Sequence, residues 1–337
     1  MRAVALLSGG LDSTLAIRVM QDQNIEIHAI NFMSLFCTCT PQDSGCTAAQ
    51  KAVDQLGVPL KTVNTSEKFV ELVKDPPHGY GSEVNPCLDC RIMMFHKARE
   101  YMENIDASFL ITGEVLGERP MSQRHEAMEL IEKEAGVEGL VVRPLCAAHM
   151  EESTPEKQGW IDRQAMLDLR GRNRTPQIEL ATEYGINDYP CPAGGCRLTD
   201  PGYASRVRDL LTHEPDFGVN DMQLLKVGRH FRLSDSCKAI VGRDKEENER
   251  LWTLNRENDI LLQLEDHTGP TTLMRGTFTE KEIKVSGALT ARYANIGNTD
   301  HLTVATLNST PEARRTLEVQ PAKEGEYRHL MVTPDDE

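Results

Sequence analysis

The stretch that decides the fold is Ser8-Gly9-Gly10-Leu11-Asp12-Ser13-Thr14, which follows the first apolar run of the chain, Val4-Ala5-Leu6-Leu7. An apolar strand, a turn of small residues and a helix N-terminus together form a cradle of backbone N–H groups that binds anions. Leu11, Leu15 and Val19 recur at helical spacing, so one face of the predicted helix packs on a sheet. The stretch lacks the spacing and the lysine of a Walker A loop. It therefore predicts a phosphate site of another kind.

Strands and helices alternate through residues 1–213. This alternation predicts an α/β fold with a doubly wound parallel sheet, in which ligands bind at the carboxyl ends of the strands. The predicted strands are 2–7, 25–33, 60–64 and 107–112, and the predicted helices are 12–22, 45–56 and 88–104. The first loop and the turn Thr112-Gly113-Glu114 both fall at that edge. A capping box in Ser153-Thr154-Pro155-Glu156 predicts a further helix through Asp162, and 245–256 predicts another.

The length of 337 residues exceeds the usual size of one core, so two domains are expected. We place the first domain at 1–213 and a smaller α+β domain at 216–320, because 212–219 has the composition of a helix end and a linker. The last stretch, 321–337, ends in Pro-Asp-Asp-Glu and is expected to be a frayed, flexible tail.

Composition limits the class of protein. The formal charge of −15 favours solubility and excludes a generalised basic surface for nucleic acid. No apolar run approaches the roughly 18 residues that span a bilayer, and Met1-Arg2-Ala3 leads directly into a strand and not into a signal peptide. Nine cysteines, clustered in close pairs, argue against an extracellular disulfide framework. We therefore expect a cytoplasmic protein with no membrane partner.

The cysteine pairs indicate thiol or metal chemistry. Cys87 and Cys90 have Cys-x2-Cys spacing at the start of a predicted helix, and Cys191 and Cys196 lie much further along the chain. Two thiolates at such spacing can hold one metal ion or cluster. Three interpretations remain open for Cys87, Cys90 and Cys191: an iron–sulfur cluster with one iron open to sulfide, a metal-free nucleophile and persulfide pair, or structural zinc with Cys196 as fourth ligand.

The remaining cysteines have simpler interpretations. Cys37, Cys39 and Cys46 follow a predicted central strand. This position favours their interpretation as small buried residues, but it also allows an auxiliary sulfur or metal role near the phosphate loop. Cys146 and Cys237 stand alone in the sequence and are expected in the core.

The first loop resembles the PP-loop of the ATP pyrophosphatases, which split ATP between the α- and β-phosphates and transfer AMP to an oxygen of the substrate. Further elements are similar to PP-loop enzymes that insert sulfur into tRNA. Asn85-Pro86-Cys87-Leu88-Asp89-Cys90 resembles the Asn-Pro-x3-Cys element of the 2-thiouridylases. Thr112 to Gly117, Ser122-Gln123 and Arg143-Pro144-Leu145 resemble elements of the 4-thiouridine synthetases. The resemblance covers residues 3–200.

This resemblance implies an ATP-dependent tRNA sulfurtransferase that adenylates a carbonyl oxygen of a base, such as uridine, and replaces it with sulfur. The implied catalytic residues are Asp12, Cys90 and Cys191, with Asp12 also helping to bind Mg²⁺, and the implied ligands of a [4Fe-4S] cluster are Cys87, Cys90 and Cys191. The residues expected to bind ATP are Ser8, Gly9, Gly10, Asp12, Ser13, Thr14, Asn31, Phe32, Met33, Thr112, Gly113 and Gln123. The implied partners are tRNA, a donor of sulfide or persulfide, and a second copy of the chain.

The second domain has a resemblance of its own. The segments similar in order and spacing to the RNA-binding domain of NFACT ribosome-quality-control proteins are 241–249, 258–264, 267–270 and 288–293. From Asp216 onward, however, 16 Lys and Arg stand against 21 Asp and Glu, a net charge of −5, whereas phosphate binding favours a positive surface. A local basic group either contacts RNA or forms a solvated face. Its members are Lys226, Arg229, His230, Arg232, Lys238 and Arg243.

Four arginines of the first domain have the same two interpretations, contact with RNA phosphates or solvation at the surface. They are Arg119, Arg124, Arg172 and Arg174.

Two other functions remain as alternatives to sulfur transfer. One is a PP-loop enzyme of the amidating ligase or deazaguanine nitrile synthase type, in which the cysteines bind structural zinc and ammonia replaces sulfide. The other is a non-catalytic RNA-binding protein that retains a nucleotide fold.

Overall fold

The computed structural model describes residues 1–36, 47–189, 196–265, 267–294, 302–307 and 315–334. The chain divides into two compact units, Met1–Thr199 and Asp200–Glu337. Within the described residues, no helix combines the length and the apolar composition needed to cross a membrane.

A five-stranded parallel sheet forms the first unit. Its strands are β1 (Arg2–Leu6), β2 (Glu26–Met33), β3 (Leu60–Asn64), β4 (Phe109–Thr112) and β5 (Val141–Val142), in the order β3-β2-β1-β4-β5. The helices around it are α1 (Leu11–Gln21), α2 (Thr47–Leu56), α3 (Ser66–Lys74), α4 (Cys87–Asn104), α5 (His125–Ala135), α6 (Thr154–Lys157) and α7 (Thr175–Glu183). The doubly wound parallel fold predicted from the alternation is confirmed.

Both faces of the sheet are covered by helices. Ala3 and Ala5 of β1 pack in one apolar cluster with residues of α1, whereas Val4 and Leu6 pack in another with Phe95 of α4. This division follows from the two-residue period of a strand, which turns successive side chains to opposite faces. Burial on both faces is typical of a parallel sheet and explains why β1 is a continuous apolar run.

Several elements of the first unit differ from the prediction. Helices α3, α5 and α7 and the short strand β5 were not predicted. Phe69, Val70 and Val73 give α3 a buried face. The capping box at Ser153 forms as expected, but α6 ends at Lys157 and does not reach Asp162. Gly159 has a φ of 68°, a left-handed conformation that ends a helix.

The second unit is built on an antiparallel sheet. Its strands are β6 (Arg229–Ser234), β7 (Cys237–Val241), β8 (Ile260–Leu264), β9 (Thr272–Gly276), β10 (Leu302–Leu307) and β11 (Arg315–Val319), in the order β11-β10-β8-β9-β7-β6. The helices are α8 (Pro201–His213), α9 (Val219–Leu224), α10 (Lys245–Leu254), α11 (Glu280–Arg292) and α12 (Glu324–Tyr327). The predicted α+β class and the predicted helix near 245–256 agree with this arrangement.

Helix α8 belongs to the second unit, whereas the sequence had placed it at the end of the first. The Tyr203 hydroxyl donates to the Met222 carbonyl at 2.9 Å, and Arg206 donates to the Leu225 carbonyl at 2.8 Å. These bonds join α8 to α9 and the residue that follows it. The boundary therefore lies at Thr199 and Asp200 instead of near 213.

The prediction of a frayed tail from residue 321 is wrong for residues 321–334. Ala322 and Tyr327 are buried in the core of the second unit. Tyr327 packs edge-on against Phe231 and Tyr293, with ring centroids 6.0 Å apart in each pair, and Met331 forms a β-bridge with Phe231. The apolar side chains of this stretch are buried, although its polar end led to the prediction of a flexible tail. Residues 335–337 lie outside the described residues.

Candidate active site

The phosphate loop predicted from the sequence is a tight turn between β1 and α1. Gly9 has a φ of 80°, and a Cβ there would come within 2.5 Å of the Ala48 carbonyl carbon, so only glycine fits. Ser13 Oγ donates to the Gly10 carbonyl at 2.9 Å and lies 3.1 Å from Ser8 Oγ. Gly10 precedes α1 without a side-chain cap, so the first N–H groups of the helix are left for an anion.

A second glycine turn meets this loop from the end of β4. Leu6 of β1 pairs with Thr112 of β4, which brings the two turns to the same edge of the sheet. A Cβ on Gly113 would come within 2.5 Å of the Asp12 carbonyl carbon and oxygen. The two turns therefore touch through their backbones, and the site has no room for a side chain at Gly113.

Both turns line a cavity of about 530 Å³. It lies at the carboxyl edge of the sheet, where ligands bind in folds of this class. The predicted site residues that line it are Ser8, Gly10, Asp12, Ser13, Asn31, Phe32, Cys87, Cys90, Thr112, Gly113 and Gln123. A volume of this size, with apolar walls and a few convergent polar groups, fits a nucleotide-sized ligand.

Three of the residues predicted to bind ATP do not line the cavity as the described residues outline it: Gly9, Thr14 and Met33. Gly9 turns against the start of α2. Thr14 Oγ1 donates to the Gly10 carbonyl at 3.0 Å, and the Met33 carbonyl accepts from the Thr65 N–H at 2.9 Å. These residues shape the backbone around the cavity.

Three thiols share the cavity wall. Cys87 and Cys90, on the first turn of α4, line it together with Cys196. The Asn85 side-chain amide donates to Cys87 Sγ at 3.0 Å. Four cysteines named in the sequence predictions lie outside the described residues: Cys37, Cys39, Cys46 and Cys191. Cys196 is therefore the third thiol of this wall within the described part of the chain.

Burial dominates the protonation of these thiols. It raises the pKa of Cys90 well above its ordinary value, and negative charge on Cys196 or Cys87 raises it further. Burial also raises the pKa of Cys87, while the guanidinium groups of Arg119 and Arg91 act in the opposite direction. Both side chains are consequently neutral thiols at pH 7 in the absence of a metal.

The donor chemistry of the wall suits a thiolate-bound group. Cysteine sulfur is the ligand of iron–sulfur clusters and of many zinc sites. Among the residues that the structure describes, however, no three His, Cys, Asp or Glu side chains lie close enough together to hold a metal ion. Cys191, outside those residues, stays a predicted ligand.

Behind the thiols, a buried ion network fixes the second glycine turn. Glu114, only 3% exposed, accepts from Arg91 and, at 3.1 Å, from Arg143 Nε. Arg143 also donates to Glu132 at 2.5 Å. Burial raises the pKa of Glu114, but the two guanidinium groups more than offset it and hold the value below the ordinary one. Since Arg91 directly follows Cys90 on α4, the network joins the thiol-bearing helix to the turn after β4.

Arg174 reaches the phosphate loop from the N-terminus of α7. Its guanidinium donates to Asp12 Oδ2 and, at 2.5 Å, to Glu118 Oε1. The sequence analysis assigned Asp12 a role in binding Mg²⁺, which stays a prediction, and placed Arg174 at RNA phosphates or in solvent. The structure pairs the two side chains and places Arg174 in the cavity wall.

Sequence reasoning did not single out several residues of the cavity wall, namely Phe36, Phe69, Arg91, Met94 and Glu118. The rings of Phe36 and Phe69 lie 4.8 Å apart between centroids and offer an aromatic surface. Arg91 and Glu118 each lie beside a recognised motif, which is a signal that could have found them. Phe69 lies on α3, which was not predicted.

The basic residues of the second unit are largely neutralised within it. Arg232 donates to both carboxylate oxygens of Asp209, at 3.0 and 2.6 Å. Lys238, only 2% exposed, lies 2.9 Å from a Glu214 oxygen, and Arg243 is paired with a carboxylate of α10. The clustering of positive charge seen in the sequence therefore does not produce a broad basic face from these residues.

Arg229 has a different environment. Its guanidinium lies over the Tyr293 ring, 4.4 Å from the centroid, and the neighbouring Arg292 is exposed. An arginine stacked on an aromatic ring beside a second arginine can stack bases and pair with phosphates. Arg229, beside these two residues, is therefore better suited to contact RNA than the paired Arg232, Lys238 and Arg243.

Family comparison supports both resemblances. Residues 1–154 match the family described as thiamine biosynthesis protein (ThiI), and residues 228–331 match the NFACT protein RNA binding domain. The first match includes the phosphate loop, the thiols of α4 and the second glycine turn. The second includes the antiparallel sheet up to its last short helix.

Curated relatives are similar over a shorter stretch. The tRNA-specific 2-thiouridylase MnmA of Sulfurimonas denitrificans is 30% identical over 111 residues, which is 32% of this chain and 32% of the relative. The probable tRNA sulfurtransferase of Methanosarcina mazei is 30% identical over 125 residues, which is 35% of this chain and 29% of the relative. The chain thus spans about a third of the length of these curated relatives.

Solved structures show weaker similarity. A 4-thiouridine synthetase in complex with RNA and ATP has a TM-score of 0.37 and 22% identity, covering 55% of this chain and 41% of that one. The U34-tRNA thiolase NcsA of Methanococcus maripaludis, solved with its [4Fe-4S] cluster, has a TM-score of 0.30 and 18% identity, covering 67% and 69%. Residues 1–154 are thus similar to the ThiI family and residues 228–331 to the NFACT protein RNA binding domain.

Proposed function

We propose that the chain is an ATP-dependent tRNA sulfurtransferase, which adenylates a carbonyl oxygen of a uridine base and replaces that oxygen with sulfur. The observation that carries the proposal is the single cavity lined by the phosphate loop and by the thiols of Cys87, Cys90 and Cys196. An adenylated base is activated at the ring carbon, and a sulfur nucleophile in the same cavity reaches that carbon without release of the intermediate. The match of residues 1–154 to the ThiI family supports this chemistry, and the match of residues 228–331 to the NFACT protein RNA binding domain supports RNA as the substrate.

The phosphates of ATP would lie on the phosphate loop, held by its N–H groups and by the dipole of α1. Mg²⁺, when bound, neutralises charge on the leaving pyrophosphate, and the carboxylates of Asp12 and Glu118 supply the oxygen donors that it prefers. Asn31 Oδ1 is buried, with no hydrogen-bond partner in the described part of the chain, and would accept from the adenine amino group. The Phe36 and Phe69 rings give the base an apolar wall.

The reaction has two displacements. First, the uridine oxygen attacks the α-phosphorus, and the bond from that phosphorus to pyrophosphate breaks. Sulfur then adds to the ring carbon, and AMP leaves with the original oxygen. Arg91 and Arg119 favour negative charge at Cys87 and so oppose the effect of burial. A [4Fe-4S] cluster, when held by Cys87, Cys90 and either Cys196 of the same wall or the predicted Cys191, would supply an iron that carries sulfide.

The second unit would hold the tRNA through Arg229, Tyr293 and Arg292. A base inside a folded RNA is stacked, so it must be turned out of the stack to enter the cavity. Because tRNA is an intracellular substrate, the proposal also places the protein in the cytoplasm.

The test is an anaerobic incubation of the full chain, reconstituted with iron and sulfide, with ATP, Mg²⁺, sulfide and unmodified tRNA. We expect pyrophosphate, AMP and one thionucleoside in equal amounts, measured by a coupled pyrophosphate assay and by nucleoside mass spectrometry. Pyrophosphate that requires ammonia, together with one tightly held zinc, would identify an amidating PP-loop enzyme. Absence of nucleotide turnover with bound tRNA would identify a non-catalytic RNA-binding protein.

A further inference from the structure

Arg174 bridges two carboxylates on different turns of the cavity wall. Asp12 lies in the first turn of α1, and Glu118 lies beyond the second glycine turn. The guanidinium donates to Asp12 Oδ2 and to Glu118 Oε1, the latter at 2.5 Å. The side chain of Glu118 is only 8% exposed and that of Asp12 16% exposed, so water does little to screen either charge.

Each carboxylate keeps a second oxygen that the arginine does not satisfy. Asp12 Oδ1 and Glu118 Oε2 are buried and have no hydrogen-bond partner among the residues described. A buried carboxylate oxygen without a partner is costly unless a ligand completes it. The single guanidinium of Arg174 therefore compensates only part of the negative charge of the Asp12 and Glu118 carboxylates.

We propose that Asp12 and Glu118 form the carboxylate pair of a divalent-cation site, and that Arg174 covers this pair until the cation arrives with ATP. The inference rests on the proposed use of ATP. Two carboxylates are the usual protein contribution to Mg²⁺, which completes its six oxygen ligands with phosphates and water.

Binding of the cation would change the partners of Arg174 from the two carboxylates to the phosphates of ATP. When the cation takes the carboxylate oxygens, the guanidinium is released within a cavity that then holds phosphates, and its planar fork matches phosphoryl oxygens. Arg174 therefore links occupation of the phosphate loop to the arrangement of the turn that carries Glu118. In the absence of nucleotide, the same arginine keeps the cation site closed.

The test is Mn²⁺ binding to the full chain without nucleotide, measured by electron paramagnetic resonance titration. Arg174→Gln should raise the Mn²⁺ affinity about tenfold or more, because a positive charge in contact with both carboxylates has been removed. Adding Glu118→Gln to that variant should abolish the gain. Arg172→Gln is the matched control, since Arg172 is an exposed arginine two positions away, and it should bind Mn²⁺ like the unaltered chain.

An unchanged Mn²⁺ affinity in Arg174→Gln, with native circular dichroism and an unchanged melting temperature, would overturn the inference. If Arg174→Gln does not fold, Arg174→Lys replaces it. A lysine keeps the charge but lacks the fork that spans two carboxylates, so a smaller rise in affinity is expected, and no rise would again overturn the inference. The measurement requires neither tRNA nor sulfur. A chain that passes it and forms no thionucleoside would therefore refute only the sulfurtransferase proposal.

Discussion

Gly113 lies against the backbone of Asp12 so closely that a Cβ on Gly113 would stand 2.5 Å from the Asp12 carbonyl carbon. The turn after β4 and the phosphate loop consequently support one another without an intervening side chain. Each turn is recognisable in the sequence by itself. Their contact explains why the turn after β4 needs glycine at position 113, and it makes the phosphate loop depend on a residue far from it in the chain.

We predict that Gly113→Ala weakens ATP binding by about tenfold or more, because overpacking at a tight contact costs about 1–3 kcal/mol and pushes the two turns apart. Isothermal titration calorimetry with a non-hydrolysable ATP analogue measures the effect. Gly325→Ala is the control, since a Cβ there meets nothing within 4 Å. Equal affinities in the two variants would show that the contact does not shape the nucleotide site.

Glu114→Gln should lower the free energy of unfolding by about 3 kcal/mol at pH 7, because it takes a buried carboxylate away from the partly buried Arg91 and from the buried Arg143, which keeps only Glu132. The pKa of Glu114 is held below its ordinary value of 4.5, so its stabilising contribution is present above that pH and is lost as the pH falls through the lowered value. The difference between the variant and the unaltered chain should therefore shrink in acid.

Denaturant unfolding at a series of pH values measures this difference. Glu129→Gln, on the exposed face of the neighbouring helix α5, should have little effect at any pH. A loss in Glu114→Gln that stays constant down to pH 3 would contradict the assigned ionisation of the network.

Serine substitutions test which thiols carry the sulfur chemistry. Cys90→Ser and Cys196→Ser should each abolish thionucleoside formation and leave ATP binding in place, since both thiols line the cavity and neither belongs to the phosphate loop. Cys237→Ala, which removes a buried thiol of the second unit, should lower stability and retain thiolation. Full thiolation by Cys90→Ser would remove Cys90 from the mechanism. Full thiolation by Cys196→Ser, together with loss of thiolation in Cys191→Ser, would assign the third cysteine ligand to Cys191 and not to Cys196.

Arg229→Gln should weaken tRNA binding and reduce the dependence of log K on log salt concentration by about 1, the effect of losing one phosphate contact. Fluorescence anisotropy with labelled tRNA at several salt concentrations gives both quantities. Arg315→Gln is the control, because that exposed arginine is already paired with Glu280. A salt dependence equal in both variants would place the RNA elsewhere on the second unit.

The fold and the cavity edge were predictable because they depend on local patterns. Apolar runs alternating with amphipathic segments determine a parallel sheet, and the motifs fall at the ends of its strands. The Arg174–Asp12 pair was not predictable, since 162 residues separate the two and no periodicity connects them. The same holds for the second unit, where Asp209 on α8 neutralises Arg232 on β6. Charge clustering in a sequence does not reveal which opposite charges the fold will bring to it.

The placement of α8 and of the last residues failed for a related reason. Helix α8 follows the first unit without a clear break in composition, and only its bonds to residues 222 and 225 assign it to the second. The final stretch ends in acidic residues, but Tyr327 completes an aromatic group with Phe231 and Tyr293. Packing partners decide both cases, and a single sequence does not identify them.

The central claim is that the cavity adenylates a base and substitutes sulfur for its oxygen. The most direct measurement follows that oxygen. The tRNA is transcribed with uridine triphosphate that carries oxygen-18 at one carbonyl position of the base, and the AMP released in the reaction is analysed by mass spectrometry. We predict one labelled oxygen in AMP for each thionucleoside formed when the labelled carbonyl is the reacting one. Thionucleoside formation with unlabelled AMP from tRNA labelled at either position would contradict adenylation of the base.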